Sequence, residues 1–103
     1  MADLNLIAEA RKVFDIEIES LQKVRDEIDA SFVVLVKAIR ACQGRIILTG
    51  IGKSGHIAKK IAATMASLGT PAYYLHPAEG AHGDLGVITK DDIVLAISYS
   101  GET

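Results

Sequence analysis

The stretch Leu48–Ala58, LTGIGKSGHIA, decides how the rest of the chain reads. It begins inside Arg45-Ile46-Ile47-Leu48-Thr49, a short apolar run that is continuous rather than alternating, as a strand covered on both faces requires. Past the glycines, Ile57, Ile61, Met65 and Leu68 recur at helical spacing, and Gly69 closes the stripe. Strand, glycine loop and helix in immediate succession open a βαβ unit. Ala72–Leu75, after Pro71, reads as a second strand and Asp92–Ile97 as a third, again continuous and apolar. The series predicts an α/β fold with a parallel sheet and right-handed crossovers. The segments after the three strands, 50–54, 76–82 and 98–103, then fall along one carboxyl edge, where open parallel sheets bind ligands.

Upstream, Ile7, Ala10, Phe14, Ile18, Leu21, Val24 and Ile28 step by three and four and predict one long helix with a single apolar stripe. A second helix is expected from about Ser31 to Cys42, with Gly44 just beyond it as a left-handed cap. The expected organisation is leading helices over 1–43 and the first half of an α/β domain over 44–103.

Composition bounds the function. The chain has 103 residues, half of them hydrophobic, with a net charge of −2 and no basic block. Neither a nucleic-acid surface nor an anionic membrane surface is expected. The apolar run Phe32–Val36 is far shorter than the roughly 20 residues that span a bilayer, and no signal peptide is seen at the start. Cys42 is the sole cysteine and zinc-type spacing is absent, so a reducing cytoplasm is the plain reading.

Three anions compete for the glycine loop. A nucleotide triphosphate loop needs a glycine five residues before Gly52, where Ile47 stands inside the strand. A dinucleotide fingerprint is satisfied by Gly50, Gly52 and Gly55, but its acidic partner at the end of the second strand is missing: Leu75-His76-Pro77 carries no acid before Glu79. A sugar phosphate fits otherwise. The N-terminus of the following helix offers free N–H groups and its positive dipole end, and Ser54 adds a hydroxyl. Ser98, Ser100 and Thr103 fall within six residues after the third strand, with Gly101 letting the chain turn. Two neutral cradles facing each other suit a small dianion.

The stretch SYSGET, Ser98–Thr103, resembles the S-x-S-G-[ED]-[ST] phosphate loop of the sugar isomerase (SIS) domains. GIGKSGHIAKKIAATMASLGTPAYYLHPAEGAHGDLG, Gly50–Gly86, resembles their arabinose-5-phosphate isomerase branch, with Gly80 replacing a frequent alanine. The resemblance runs from about Gly44 to the last residue, which makes 44–103 the first half of a SIS phosphosugar-binding domain. It implies a three-layer, flavodoxin-like parallel sheet, incomplete here, behind leading helices. It implies interconversion of D-ribulose 5-phosphate and D-arabinose 5-phosphate, feeding the eight-carbon acid sugar (KDO) of lipopolysaccharide or capsule. No cofactor is implied, and the full-length family forms tetramers.

Residue by residue, the resemblance assigns phosphate contacts to Ser54, Ser98, Ser100 and Thr103, and further substrate contacts to Gly69, Thr70, His76 and His82. Lys53 is the candidate oxyanion stabiliser, and His82 the candidate acid/base, since imidazole titrates near neutrality. His76 also matches a position associated with an inhibitory zinc. His56 is expected on the surface, Glu79 and Asp84 as loop caps, and Glu102 as a structural carboxylate. The family's main acid/base carboxylates lie beyond the matched region. An α-carboxylate at Thr103 would repel a phosphate by about 1 kcal/mol at ~4 Å in water, and by more near protein. The chain alone is therefore expected to be a weak or inactive isomerase with a self-associating open edge. The rival expectation is a non-catalytic phosphosugar sensor.

Overall fold

Three runs of branched and aromatic residues form the strands: β1 (Ile46–Thr49), β2 (Ala72–Tyr74) and β3 (Ile93–Ala96). All pair in parallel, in the order β2-β1-β3. The computed structural model describes residues 2–78 and 84–102. The chain divides into two units, Met1–Val36 and Lys37–Thr103.

The second unit holds the sheet. β1 is its centre, with Ile46 against Ala72 on one side and Ile93 on the other. Ile46, Ile47 and Leu48 are at most 1% exposed. Each such burial stabilises by about 1.5–3 kcal/mol relative to exposure. Helix α3 (Lys53–Ser67) lays Ala58 and Ala62 on Ile46 and Leu48, and small side chains let the helix axis approach the sheet. The helix ends as expected: Gly69 is left-handed at φ 94°, and the amide of Thr70 donates to the Met65 carbonyl at 2.9 Å.

Gly44 is a correction. It has no positive φ, and its role is close approach. A Cβ there would meet the Asp91 carbonyl oxygen at 2.7 Å and run into the Asp92 carboxylate. That carboxylate, 2% exposed, accepts the amide of Arg45 (2.7 Å) and the amide of Thr89 (2.8 Å). Arg45 Nη2 also lies 3.4 Å from it and donates to the Val87 carbonyl at 2.6 Å, at the end of a short 3₁₀ helix (Asp84–Val87). The Arg45 guanidinium then stacks 4.9 Å over the Tyr73 ring. The amino edge of the sheet is thus tied together through one aspartate.

Burial departs from expectation in β3. Its residues alternate between half-buried and exposed, and Val94 is 49% exposed. β3 is an edge strand among the described residues, with Ile93 and Leu95 packed on the α3 side and Val94 turned to the other face.

The first unit is helical. α1 (Ala2–Glu27) carries the anticipated stripe, yet none of its residues is buried; Phe14 is 70% exposed and Leu21 67%. α2 (Ala30–Ala41) begins one residue after Asp29, whose carboxylate accepts the Ser31 amide at 2.9 Å. That bond and the shorter one from the Ser31 hydroxyl (2.6 Å) hold Asp29 below its ordinary pKa. No helix among the described residues is long and apolar enough to cross a membrane.

Asp92 makes stability pH-dependent. Amide hydrogen bonds from Thr89 and Arg45 lower its pKa from 3.8 to about 2. A depressed folded-state pKa gives a contribution that is complete above the ordinary value and is lost as pH falls through about 2. The melting temperature of the wild type should exceed that of Asp92→Asn by a constant margin above about pH 5, narrowing steadily toward about pH 2. A margin that stays constant to the acid limit contradicts this role.

Candidate functional site

At the carboxyl edge the chain turns from β1 into α3 through Gly50, Ile51 and Gly52. Gly52 is the N-cap, at φ 64°, and no side chain caps the helix. The first helical bond runs from the His56 amide to the Gly52 carbonyl at 3.2 Å, so the amides of Lys53, Ser54 and Gly55 precede the intrahelical ladder. Unsatisfied N–H groups at a helix start attract anions.

The strand order sets where this end points. From β1 the chain goes through α3 to β2 on one side, and then returns to β3 on the other. The switch between directions lies between β1 and β3, where such sheets open a crevice. A cavity of about 730 Å³ occupies it, lined by Ile51, Lys53, Ser54, Ile57, Ile97, Ser98 and Tyr99. Lys53 and Ser54 enter from the first turn of α3, and Ser98 from the loop after β3. Ile51, Ile57 and Ile97 form an apolar wall.

The second loop is shaped by its own hydroxyls. Ser98 Oγ accepts the amide of Gly101 (2.9 Å), and Ser100 Oγ accepts the amide of Glu102 (3.2 Å). Gly101 is left-handed at φ 79°. Each hydroxyl that accepts from an amide keeps its own O–H to donate elsewhere. The turn is built to present donors.

His76 lies at the same edge but on the β2 side, in a smaller cavity of about 210 Å³ with Gly52, Gly55, His56, Lys59 and Tyr74. Its Nδ1 accepts the amide of Ala78 at 3.0 Å, which puts the proton of the neutral ring on Nε2. A metal at His76 would have to displace that proton or break that bond. Among the described residues no three His, Cys, Asp or Glu side chains gather to hold a metal.

Gly69 and Thr70 are placed elsewhere. They precede β2, at the amino edge, beside Ile39, Cys42 and Gly44 in a separate cavity. The fold does not bring them to the crevice. His82 and Thr103 lie outside the described residues, as do Glu79 and Gly80.

Tyr74 was not singled out by the sequence reading, which only placed it in the second strand. Its hydroxyl donates to the Gly50 carbonyl at 2.8 Å, while Lys59 Nζ sits 5.1 Å from the ring centroid. A tyrosine closing a strand whose neighbour runs into a glycine loop is the signal that could have marked it.

Comparison with known proteins agrees with this architecture. The SIS domain profile matches residues 39–103. Arabinose 5-phosphate isomerase KdsD of Pseudomonas aeruginosa is 46% identical over 101 residues, which are 98% of this chain and 31% of that protein. Arabinose 5-phosphate isomerase GutQ of Escherichia coli K12 is 47% identical over 96 residues, 93% of this chain and 30% of its own length. The chain therefore spans about a third of these curated relatives. Among solved structures, c3406 of E. coli CFT073 in complex with arabinose 5-phosphate superposes with a TM-score of 0.92 at 44% identity, covering all of this chain and 55% of that one. With its glycine loop, its hydroxyl-rich turn and its parallel strands in the order β2-β1-β3, this chain belongs to the SIS domain family.

Proposed function

We propose that the crevice between β1 and β3 binds a phosphorylated pentose, and that the chain is part of an isomerase interconverting D-ribulose 5-phosphate and D-arabinose 5-phosphate. The observation that carries this reading is the shared cavity of Ser54 and Ser98, one from the first turn of α3 and the other from the loop after β3. Relatives named as arabinose 5-phosphate isomerases, and a similar structure bound to arabinose 5-phosphate, support the choice of sugar.

In this reading the hydroxyls of Ser54, Ser98 and Ser100, with the first amides of α3, hold the phosphate, joined by Thr103. Lys53 reaches the sugar end. Aldose–ketose exchange moves a proton between neighbouring carbons through an enediol, and a cation beside the developing oxyanion lowers that barrier. His82 is the proposed acid/base and His76 an accessory contact. Lys53 is the charged side chain lining the cavity among the described residues, so turnover by these 103 residues alone is proposed to be slow. We place the protein in the cytoplasm, as a homo-oligomer that covers the exposed apolar stripe of α1.

Phosphate binding tests the site. Ser98→Ala deletes a donor and the acceptor that shapes the turn, and should weaken arabinose 5-phosphate binding about three- to tenfold, the range of one hydrogen bond. Calorimetry giving equal affinities would remove Ser98 from the site. The chemistry is tested separately by NMR in deuterated buffer. Solvent deuterium should enter the carbon beside the carbonyl, and Lys53→Ala should slow this about a hundredfold while leaving phosphate bound. Sugar binding without any exchange would favour the sensor reading. For the assembly, light scattering should give a mass above one chain, reduced by Phe14→Glu on α1; a monomer at high concentration contradicts it.

A further inference from the structure

The Gly50 carbonyl is the one polar group of the β1–α3 loop held by a side chain from another strand. Gly50 is buried, so its carbonyl needs a partner, and the Tyr74 hydroxyl supplies it at 2.8 Å. The fit is close on every side. A Cβ at Gly55 would come within 2.7 Å of that carbonyl oxygen and 3.0 Å of the tyrosine hydroxyl. The ring is held in turn, with Lys59 Nζ 5.1 Å from its centroid and His76 meeting it edge-on at 6.4 Å.

We infer that Tyr74 is a positioning residue of the anion site: by keeping the Gly50 carbonyl on the β2 side, it turns the Ile51 amide toward the cavity shared by Ser54 and Ser98. The reason is the peptide itself. No peptide bond here is cis, and a planar trans peptide points its C=O and N–H in opposite directions. β1 lies between β2 and β3, so a carbonyl drawn toward β2 sends the next amide toward β3. Ile51 lines the cavity on that side. Tyr74 touches no ligand in this account. It fixes the direction of a donor that does. The inference rests on the anion-binding reading above and adds a residue that the glycine and serine pattern does not contain.

The test uses the full chain, ¹⁵N-labelled and titrated with inorganic phosphate. Tyr74→Phe removes the hydroxyl and keeps the ring with its Lys59 and His76 contacts. It should lower phosphate affinity about three- to tenfold and shrink the phosphate-induced shift of the Ile51 amide. Tyr73→Phe is the control: its hydroxyl is buried on the opposite face of the sheet, without a partner among the described residues, and affinity should not change. A purely structural role would lower the melting temperature without altering the affinity of the folded fraction. Equal phosphate affinity of wild type and Tyr74→Phe overturns the inference alone. Failure of the wild type to bind phosphate or arabinose 5-phosphate overturns the reading of the site, and this inference with it. Should Tyr74→Phe not fold, the wild type decides: an Ile51 amide unmoved by saturating phosphate overturns the inference, and a downfield shift upholds it.

Discussion

The carboxylate of Asp92 accepts the backbone amides of Arg45 and Thr89 at the amino edge of the sheet, and so fixes where β3 begins relative to β1. From that point five residues of extended chain carry β3 to Ile97, about 16 Å away at ~3.3 Å per residue. There Ile97 donates to the Thr49 carbonyl at 2.9 Å, and the next residue is Ser98. A slip of one residue between the strands would exchange the faces of every β3 side chain. The position of Ser98 opposite Ser54 is therefore decided at the far end of the strand pair. A clamp at the amino edge thus sets the register at the carboxyl edge.

The crevice is short of formal charge and rich in oriented donors. Ser98, which lines the crevice, and Ser100, in the same turn but outside the lining, each accept one amide, from Gly101 and Glu102, and retain their protons. The start of α3 lacks a side-chain cap, which leaves its amides to an incoming oxyanion. Lys53 is the cation at this mouth, with an apolar wall of Ile51, Ile57 and Ile97 around it. Low polarity strengthens both the hydrogen bonds and the charge. In the proposed reading, a phosphate held by amides and hydroxyls would leave the lysine to the other end of the sugar.

Much of this was legible before any coordinates. The apolar run Ile46–Leu48 between a glycine turn and a glycine loop has one comfortable place, the middle of a sheet, and it lies there. Helix ends were readable at Gly69 because a left-handed turn leaves a residue-type signature. Gly44 misled for the same reason: close approach and positive φ are written with the same letter, and only a neighbour such as Asp92 tells them apart. The burial of β3 was misjudged because an apolar run records residue type, not whether both faces of the strand are covered; the α1 stripe was read correctly, and none of its residues is buried. Gly69 and Thr70 lie at the other edge of the sheet from the crevice, a placement that a resemblance in residue type does not carry with it. Tyr74 was passed over because the hydroxyl's target is a backbone carbonyl, so that the only trace in the sequence is a tyrosine closing a strand beside a glycine loop.

Gly52 and Gly55 differ in what a side chain at each would strain. At Gly52 nothing stands within 4 Å of an added Cβ, and the penalty is the torsion itself. No change elsewhere in the chain can relieve it. At Gly55 the penalty is crowding by the Gly50 carbonyl and the Tyr74 hydroxyl. Trimming Tyr74 would relieve only the contact at 3.0 Å, because the nearer one, at 2.7 Å, is to the backbone of a residue that is already glycine. One glycine is thus required by the torsion of its own backbone and the other by the backbone of a neighbour, although the two are spelled alike.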